Sequence, residues 1–520
     1  MLAYVVMDAL DGKPVYDELL ERFLAKKKNL SAVIKYRRTI LELVMESISL
    51  MDEKIIRKAG VRMERKNIWL KYDETELQKV ELVNKEYIQF LNSGKTEREC
   101  VKISVDMAEK NGYKNLADII KNKTKLKAGD KVYATNMKKA IILFLIGENP
   151  IEEGLNILGA HIDSPRLDVK QNPLYEDTEL AYLDTHYYGG IKKYQWVTIP
   201  LAIHGVVVKK DGTVLELVIG EADMDPVMFI SDLLVHLSQE QMEKKANKFI
   251  EGEDLNVIIG NKPLQKEEKD AVKKHILKFL QDTYDIDEED FISAELEIVP
   301  AGKAREAGLD KSMIMAYGHD DRVCAYTSLA AMLEFQHVGR TACTILVDKE
   351  EIGSVGATSM QSKFFENTVA EILNAMGINS DLILRRTLAN SRMLSSDVSA
   401  AFDPVFASAF EKKNAAYFAK GLVLNKFTGS RGKSGSNDAN AEYIGQLRQI
   451  LDEQNVAYQT AELGKVDFGG GGTIAYILSL YGMQVIDCGV AVLNMHAPWE
   501  VVSKADVYEA TKGYRAFLLS

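Results

Sequence analysis

Cysteine is scarce in this chain. Four occur in 520 residues, at positions 100, 324, 343 and 488, scattered and with no Cys-x-x-Cys pair. That excludes a disulfide framework and a thiolate zinc site, and it is the pattern of a reducing compartment. Positive charge is not in excess either: 65 Lys and Arg stand against 76 Asp and Glu, a formal net charge of -11. With no basic arm and no aromatic-rich basic stripe, nucleic acid is excluded as the main partner. Long apolar runs are missing too, since 140–146 and the first residues fall far short of the roughly 20 residues that span a bilayer. The amino terminus shows no charged n-region, apolar h-region or cleavage site. Internal repeats, low-complexity segments and linkers rich in Gly, Ser or Pro are likewise absent. A soluble, cytoplasmic protein with no membrane partner is expected.

What is present is ordinary globular material, 46% hydrophobic and 27% charged, in a chain too long for a single simple core. Residues 15–125 read as mostly helical, with Leu19, Leu20, Phe23 and Leu24, then Ile40, Leu41, Leu43, Val44 and Ile48, at helical spacing. From residue 140 short apolar strands take over, at 140–146, 155–160, 313–317, 341–347 and 485–492. Helical patterns at 325–335 and 473–481 alternate with them. This alternation predicts an α/β fold with a mixed, mostly parallel sheet flanked by helices. Between 168 and about 309 the texture changes to strand-like runs punctuated by Pro and Gly, followed by a charged helical segment over 239–282. That block reads as an inserted, β-rich second domain.

Five clusters place acidic or imidazole side chains directly after a strand, where open α/β sheets deliver functional groups. The most informative is Glu350-Glu351, which follows the apolar run 341–347. On extended backbone neighbouring side chains point apart, so one carboxylate could grip a metal while the other handles a proton. Alone, the pair is more simply a solvated acidic turn. His161 and Asp163 share one side of an extended segment, and the carboxylate could polarise the imidazole. Asp320-Asp321 opens an Ala-rich helix, where a cap is the simpler reading. Asp397 follows another extended run, and His496 lies just past a strongly apolar strand. Together these are oxygen and nitrogen donors without thiolate, suiting Zn²⁺, Co²⁺ or Mn²⁺ in a co-catalytic pair. Two such ions acidify water, and a nearby carboxylate can take its proton during attack on an amide carbonyl. The glycine run 469–472 is not a phosphate cradle, because the lysine of a P-loop is missing.

Eight blocks in order carry a resemblance: HIDSPRLDVK at 161–170, YYGG at 187–190, ISDLLVHL at 230–237, the DDR step at 320, DKEEIGS at 348–354, SSDVSAAFDP at 395–404, GGGGT at 469–473 and LNMHAPWE at 493–500. From about residue 80 to its end the chain resembles the aspartyl aminopeptidase and vacuolar aminopeptidase I family of di-zinc metallopeptidases. The resemblance implies a zinc-exopeptidase-like fold with two divalent ions per subunit, zinc foremost. It implies His161, Asp320, Glu351, Asp397 and His496 as metal ligands, with Asp320 bridging, Glu350 as general base and Asp163 orienting His161. It also implies substrate contacts from Gly470 and Gly471, from Lys426 beside the pocket for the first side chain, and from His236 reaching into a neighbouring subunit. From the residues alone, His236 is an interior histidine on an amphipathic helix.

The resemblance further implies a catalytic domain of residues 1–170 and 310–520, an oligomerisation domain of 171–309, and dimers assembling into a tetrahedral dodecamer. The activity implied is removal of the amino-terminal residue from peptides, with a preference for Asp or Glu. The chain departs from the family where Ser399 and Phe402 replace the usual histidines, and where Phe427–Ser436 replaces an Asn-Ala-rich loop. These departures bear on the acidic preference. The alternative is a carboxypeptidase or deacylase on the same scaffold, kept open by Lys426, Arg431 and Lys433; a catalytically inactive binding protein is a further reading, disfavoured by the retained Glu350.

Overall fold

A nine-stranded sheet carries the fold. In chain order its strands are β1 (Lys114–Asn115), β2 (Lys131–Asn136), β3 (Ala140–Leu145), β4 (Asn156–His161), β5 (Ala342–Val347), β6 (Arg392–Ser395), β7 (Leu422–Asn425), β8 (Tyr458–Thr460) and β9 (Gln484–Gly489). Their spatial order is β1-β2-β3-β5-β4-β6-β9-β7-β8. The central four, β5, β4, β6 and β9, run parallel, while β3 and β7 flank them antiparallel. The structure, a computed structural model, describes residues 66–520, which form one compact unit. The first part of the expected helical stretch, 15–65, lies outside the described residues. From 66 onward it holds helices Glu74–Ser93, Glu97–Lys110 and Leu116–Lys121.

The parallel strands read as continuous apolar runs because both faces of the sheet are covered. Alternate residues of β5 enter different cores: Ala342 and Leu346 join one cluster, Cys343, Ile345 and Val347 the other. β3 divides the same way, Ile141, Leu143 and Leu145 against Ile142 and Phe144. The first core is roofed by helices His319–Leu333 and Lys504–Leu518, the second by Phe364–Ala375. All four cysteines are buried and unpaired. No described helix is long and apolar enough to cross a membrane.

Residues 166–300 build a second, six-stranded sheet, antiparallel throughout, with its own core around Trp196, Leu201 and Ile298. The expected helical segment at 239–282 is broken up. It holds short helices at Gln239–Met242 and Ala246–Phe249, a strand at Val257–Gly260 and one real helix at Ala271–Tyr284. Gly252, Gly260 and Pro263 interrupt the pattern, and local breakers override charge-based periodicity. The stretch around His236 is not an amphipathic helix with an interior histidine either. It is extended chain with a single 3₁₀ turn at Val235–Leu237, and His236 is exposed.

The expected strand 485–492 divides at Val490. Its first part is β9; its second, Ala491–Leu493, joins a third sheet with Arg305–Ala307, Met313–Ala316, Ser399–Ala400 and Glu500–Ser503. Gly489 marks the crossing. A Cβ there would lie 1.8 Å from the carbonyl oxygen of Asp397, so only glycine lets the two backbones pass this closely. The third sheet brings residues distant in sequence to the edge where β4, β5 and β6 end.

Candidate active site

β4, β5 and β6 are neighbours and parallel, so their carboxyl ends open on one edge. His161 closes β4, Glu350 and Glu351 follow β5, and Asp397 lies two residues past β6. The third sheet supplies the rest: Asp320 comes four residues after Met313–Ala316, and His496 sits between Ala491–Leu493 and Glu500–Ser503. Six side chains from five segments thus meet at one edge.

Glu350 and Glu351 are not on extended backbone. Lys349 turns the chain with φ 70°, and Glu350–Ile352 form one 3₁₀ turn. A left-handed lysine costs about 1–2 kcal/mol. The turn is held from outside: the Asp163 carboxylate accepts the Glu350 N–H at 3.1 Å and the Glu351 N–H at 3.2 Å, and Tyr188 donates to it at 2.8 Å. Asp163 therefore fixes the glutamate turn as well as facing His161, whose Nδ1 is 3.3 Å from its Oδ1.

Both imidazoles present Nε2 to the centre. His161 Nδ1 lies 3.0 Å from the backbone carbonyl of Asp163, and His496 Nδ1 lies 2.8 Å from that of Gly190. A carbonyl only accepts, so each Nδ1 carries the hydrogen, and a neutral ring turns its Nε2 lone pair inward. The two oxygens of Asp320 divide between them: Oδ1 is 3.2 Å from His161 Nε2, and Oδ2 is 3.2 Å from His496 Nε2. Glu351 lies 3.7 Å from His496 and Glu350 4.0 Å from His161. Two donor groups, each within 4.8 Å, share Asp320: His161, Asp320 and Asp397, and Asp320, Glu351 and His496. A third, His161 with Glu350 and Glu351, overlaps both. Glu351 Oε1 is buried with no hydrogen-bond partner, an orphaned oxygen that a cation would satisfy.

The electrostatics favour a cation. Burial opposes protonation of His161, but hydrogen bonds to Asp163 and Asp320 outweigh it and raise its pKa well above the ordinary value. For His496 the same contest, won chiefly through Asp320, gives about 10. Burial pushes Glu350 up to about 7, and it drives Glu351 and Asp397 well above the carboxylate range. A cation bound here would displace those protons, leaving neutral imidazoles and ionised carboxylates as its donors.

Several groups that support the site have no local signature. Glu500 accepts the backbone N–H of both Asp320 (2.9 Å) and His496 (2.7 Å), tying two donors to one carboxyl. The Ser164 hydroxyl donates to the Asp320 carbonyl at 2.6 Å. Tyr188 and Gly190 belong to the YYGG block, and Glu500 to LNMHAPWE, so the motifs flagged these residues without revealing their contacts.

An open cavity of about 670 Å³ fronts the cluster, walled by Asn425, Thr428, Ser434, Leu463, Gly470–Gly472, Tyr476 and Met495 among others. Among the described residues, no Lys or Arg lines it. Gly470 and Gly471 are there as expected, but the Gly471 N–H is already given to the Thr428 carbonyl at 3.1 Å. Lys426 is not part of this wall. It ion-pairs with Asp438 and lines a smaller, neighbouring cavity. His236 is not brought to the cluster within the chain.

Behind the glycine loop, Asp487 is buried and accepts from the Thr473 hydroxyl at 2.5 Å, while its Oδ2 has no partner. Burial pushes its pKa up to about 7. The folded state thus holds this proton more tightly than the unfolded chain. Its contribution to stability is complete below about pH 4 and lost as pH rises to 7, at up to about 1.4 kcal/mol per pH unit. Asp487→Asn, which mimics the protonated form, should match wild type near pH 4.5 and exceed it at pH 8 in urea unfolding. Equal pH dependence in both proteins would contradict this.

An α/β sheet whose strand ends gather two imidazoles and a set of carboxylates around a cavity is the architecture of a metal-dependent hydrolase. Comparison with known proteins makes this specific. The chain belongs to the aminopeptidase I zinc metalloprotease (M18) family, whose model matches residues 90–518. It is a metalloaminopeptidase, a hydrolase acting on peptide bonds. The "Probable M18 family aminopeptidase 1" of Clostridium acetobutylicum is 64% identical over 456 residues, 88% of this chain and 98% of that protein. The crystal structure of the M18 aminopeptidase from Thermotoga maritima superposes with a TM-score of 0.84 at 45% identity, covering 88% of this chain and 99% of that one. The S. cerevisiae mApe1 dodecamer, at 20% identity and TM-score 0.67 over 85% of this chain and 97% of that one, shares the fold.

Proposed function

We propose that this enzyme removes single residues from the amino ends of peptides at a co-catalytic pair of divalent ions, zinc foremost. The observation that carries the reading is the division of Asp320, whose two oxygens face two different imidazoles at 3.2 Å each. His161, Asp320 and Asp397 would hold one ion, and Asp320, Glu351 and His496 the other. Bound there, the ions supply Lewis-acid chemistry, acidifying water and polarising the scissile carbonyl. Glu350, outside both donor groups, takes a proton from the attacking water and returns it to the leaving nitrogen. Asp163 positions Glu350 through its backbone N–H, and Glu500 holds Asp320 and His496 in register.

The amino-end direction accords with the M18 aminopeptidases that the chain resembles. A carboxypeptidase would need a cation to receive the free carboxylate, and among the described residues no Lys or Arg lines the wall. The same feature bears on the first residue. A preference for Asp or Glu rests on Lys426, which is paired with Asp438 and outside the wall. Leu463, Met495, Tyr476, Asn425 and Thr428 instead suit a neutral side chain.

We assign residues 310–520 and those up to 170 to catalysis and 171–309 to assembly into a homo-oligomer. Exposed His236 lies among exposed Leu233, Leu234, Val235 and Leu237, an apolar run that a second copy would cover. From there His236 would act in a neighbouring site. The buried, unpaired cysteines accord with a cytoplasmic setting.

An aminoacyl-p-nitroanilide panel, run on zinc-loaded protein separated by size, tests these points together. Expected are turnover of Leu and Met substrates, none after N-acetylation, and activity confined to species larger than a monomer. Cleavage of N-blocked peptides from the carboxyl end would overturn the aminopeptidase direction, and a fully active monomer would remove His236 from the reaction.

A further inference from the structure

The loop 426–439 forms part of the cavity wall through Thr428, Ser434 and Gly435. It is closed at its base by the Ala439 N–H donating to the Lys426 carbonyl at 2.9 Å, and towards its tip by the Ser434 N–H donating to that of Ser430 at 3.1 Å. Two lysines flank residues of the wall: Lys426 follows Asn425, and Lys433 precedes Ser434. Neither reaches the cavity. Asp438 takes both, Oδ1 pairing with Lys426 and Oδ2 with Lys433 at 3.0 Å. The Lys433 ammonium also lies 4.0 Å from the centre of the Phe427 ring, a cation–π contact on the loop's own surface.

We propose that Asp438 is a specificity-determining residue: by holding Lys426 and Lys433 in ion pairs away from the cavity wall, it keeps positive side-chain charge out of the first-residue pocket and directs the enzyme to neutral amino-terminal residues. This deepens the aminopeptidase reading and rests on it. All three side chains are about half exposed, so each pair contributes little to stability. Orientation is another matter. A lysine stem is flexible, and its ammonium seeks the nearest acceptor or solvent. Without Asp438, both ammonium groups would be released beside the wall, where an acidic side chain brought in by substrate would compete for them with Glu462, which lines the small cavity next to Lys426.

Asp438→Asn keeps the size and polarity of the side chain and removes its charge. With Glu- and Leu-p-nitroanilide as probes, wild type should favour Leu. The variant should raise the Glu-to-Leu ratio of kcat/KM at least tenfold, and added salt should diminish the gain. Asp438→Ala should do the same, and adding Lys426→Met and Lys433→Met to Asp438→Asn should restore the wild-type ratio. An equal rise in KM for both substrates would make Asp438 a mere staple of the loop and overturn the inference, as would a wild type that already favours Glu. Wild-type protein that cleaves neither of these substrates but does cleave others of the panel would overturn this inference alone, whereas cleavage of N-blocked peptides from the carboxyl end would overturn the proposed direction and this inference with it.

Discussion

Glu350→Gln is expected to fold normally, keep its metal and lose about 10²–10⁴ of kcat, the range that a positioned general base contributes. Three observations set this apart from a generic site mutation. The Glu350 side chain lies outside the two donor groups that share Asp320 and belongs only to the third, with His161 and Glu351, so its amide should leave both Asp320 groups their donors and the metal largely bound. Its backbone, not its side chain, makes the hydrogen bond to Asp163, so the turn survives the substitution. Its carboxyl is pushed up to about 7 by burial, where a group exchanges protons readily near neutral pH, and glutamine can do neither half of that exchange. Glu351→Gln should fail differently, losing metal first, because Glu351 stands 3.7 Å from His496 with an orphaned oxygen. Elemental analysis beside kcat separates the two. A Glu350→Gln protein with near-normal turnover would sink the mechanism.

The two glutamates were legible as a pair because the signal is local, an apolar strand followed at once by acids. The same local pattern exposed His161, Asp320, Asp397 and His496, and parallel neighbours open their carboxyl ends on one edge. What the residues alone could not give is which end of each side chain is engaged. The imidazole orientation depends on carbonyls of Asp163 and Gly190, and a carbonyl has no residue type to read. The contacts of Glu500 are invisible for a related reason: it lies four residues past His496 but 180 residues from the Asp320 N–H it holds. Lys426 shows the opposite case: a cation beside a substrate loop reads as a selector, and only the structure shows that Asp438, twelve residues on, pairs with it. The charged tract at 239–282 misled because surface charge at helical spacing does not outweigh glycine and proline. For the imidazoles, Glu500 and Lys426, pairing rather than residue type decided the outcome; for the charged tract, local breakers did.

Asp320→Asn should abolish activity and also erase the thermal stabilisation that metal gives the wild type. The argument turns on linkage. A ligand that binds only the folded state raises stability by RT ln(1 + [L]/Kd), about 2.7 kcal/mol at a hundredfold excess over Kd. Wild-type protein treated with chelator should therefore melt several degrees lower than the zinc-loaded form. Asp320 belongs to both donor groups, so its loss weakens both at once, whereas His161→Ala or His496→Ala disables one directly. Asp320 is also buried beside Ser164 and Glu500, so lost activity could reflect damaged packing. But Ser164 and Glu500 bind the Asp320 backbone, which Asn keeps. Packing damage, or loss of the Asp320 contacts to the two imidazoles, would lower the Tm of the chelated and loaded protein alike, while loss of a shared ligand removes the difference between the two forms. Calorimetry with and without zinc reads that difference directly. A full zinc-dependent shift in Asp320→Asn would show that Asp320 does not join the two halves of the site.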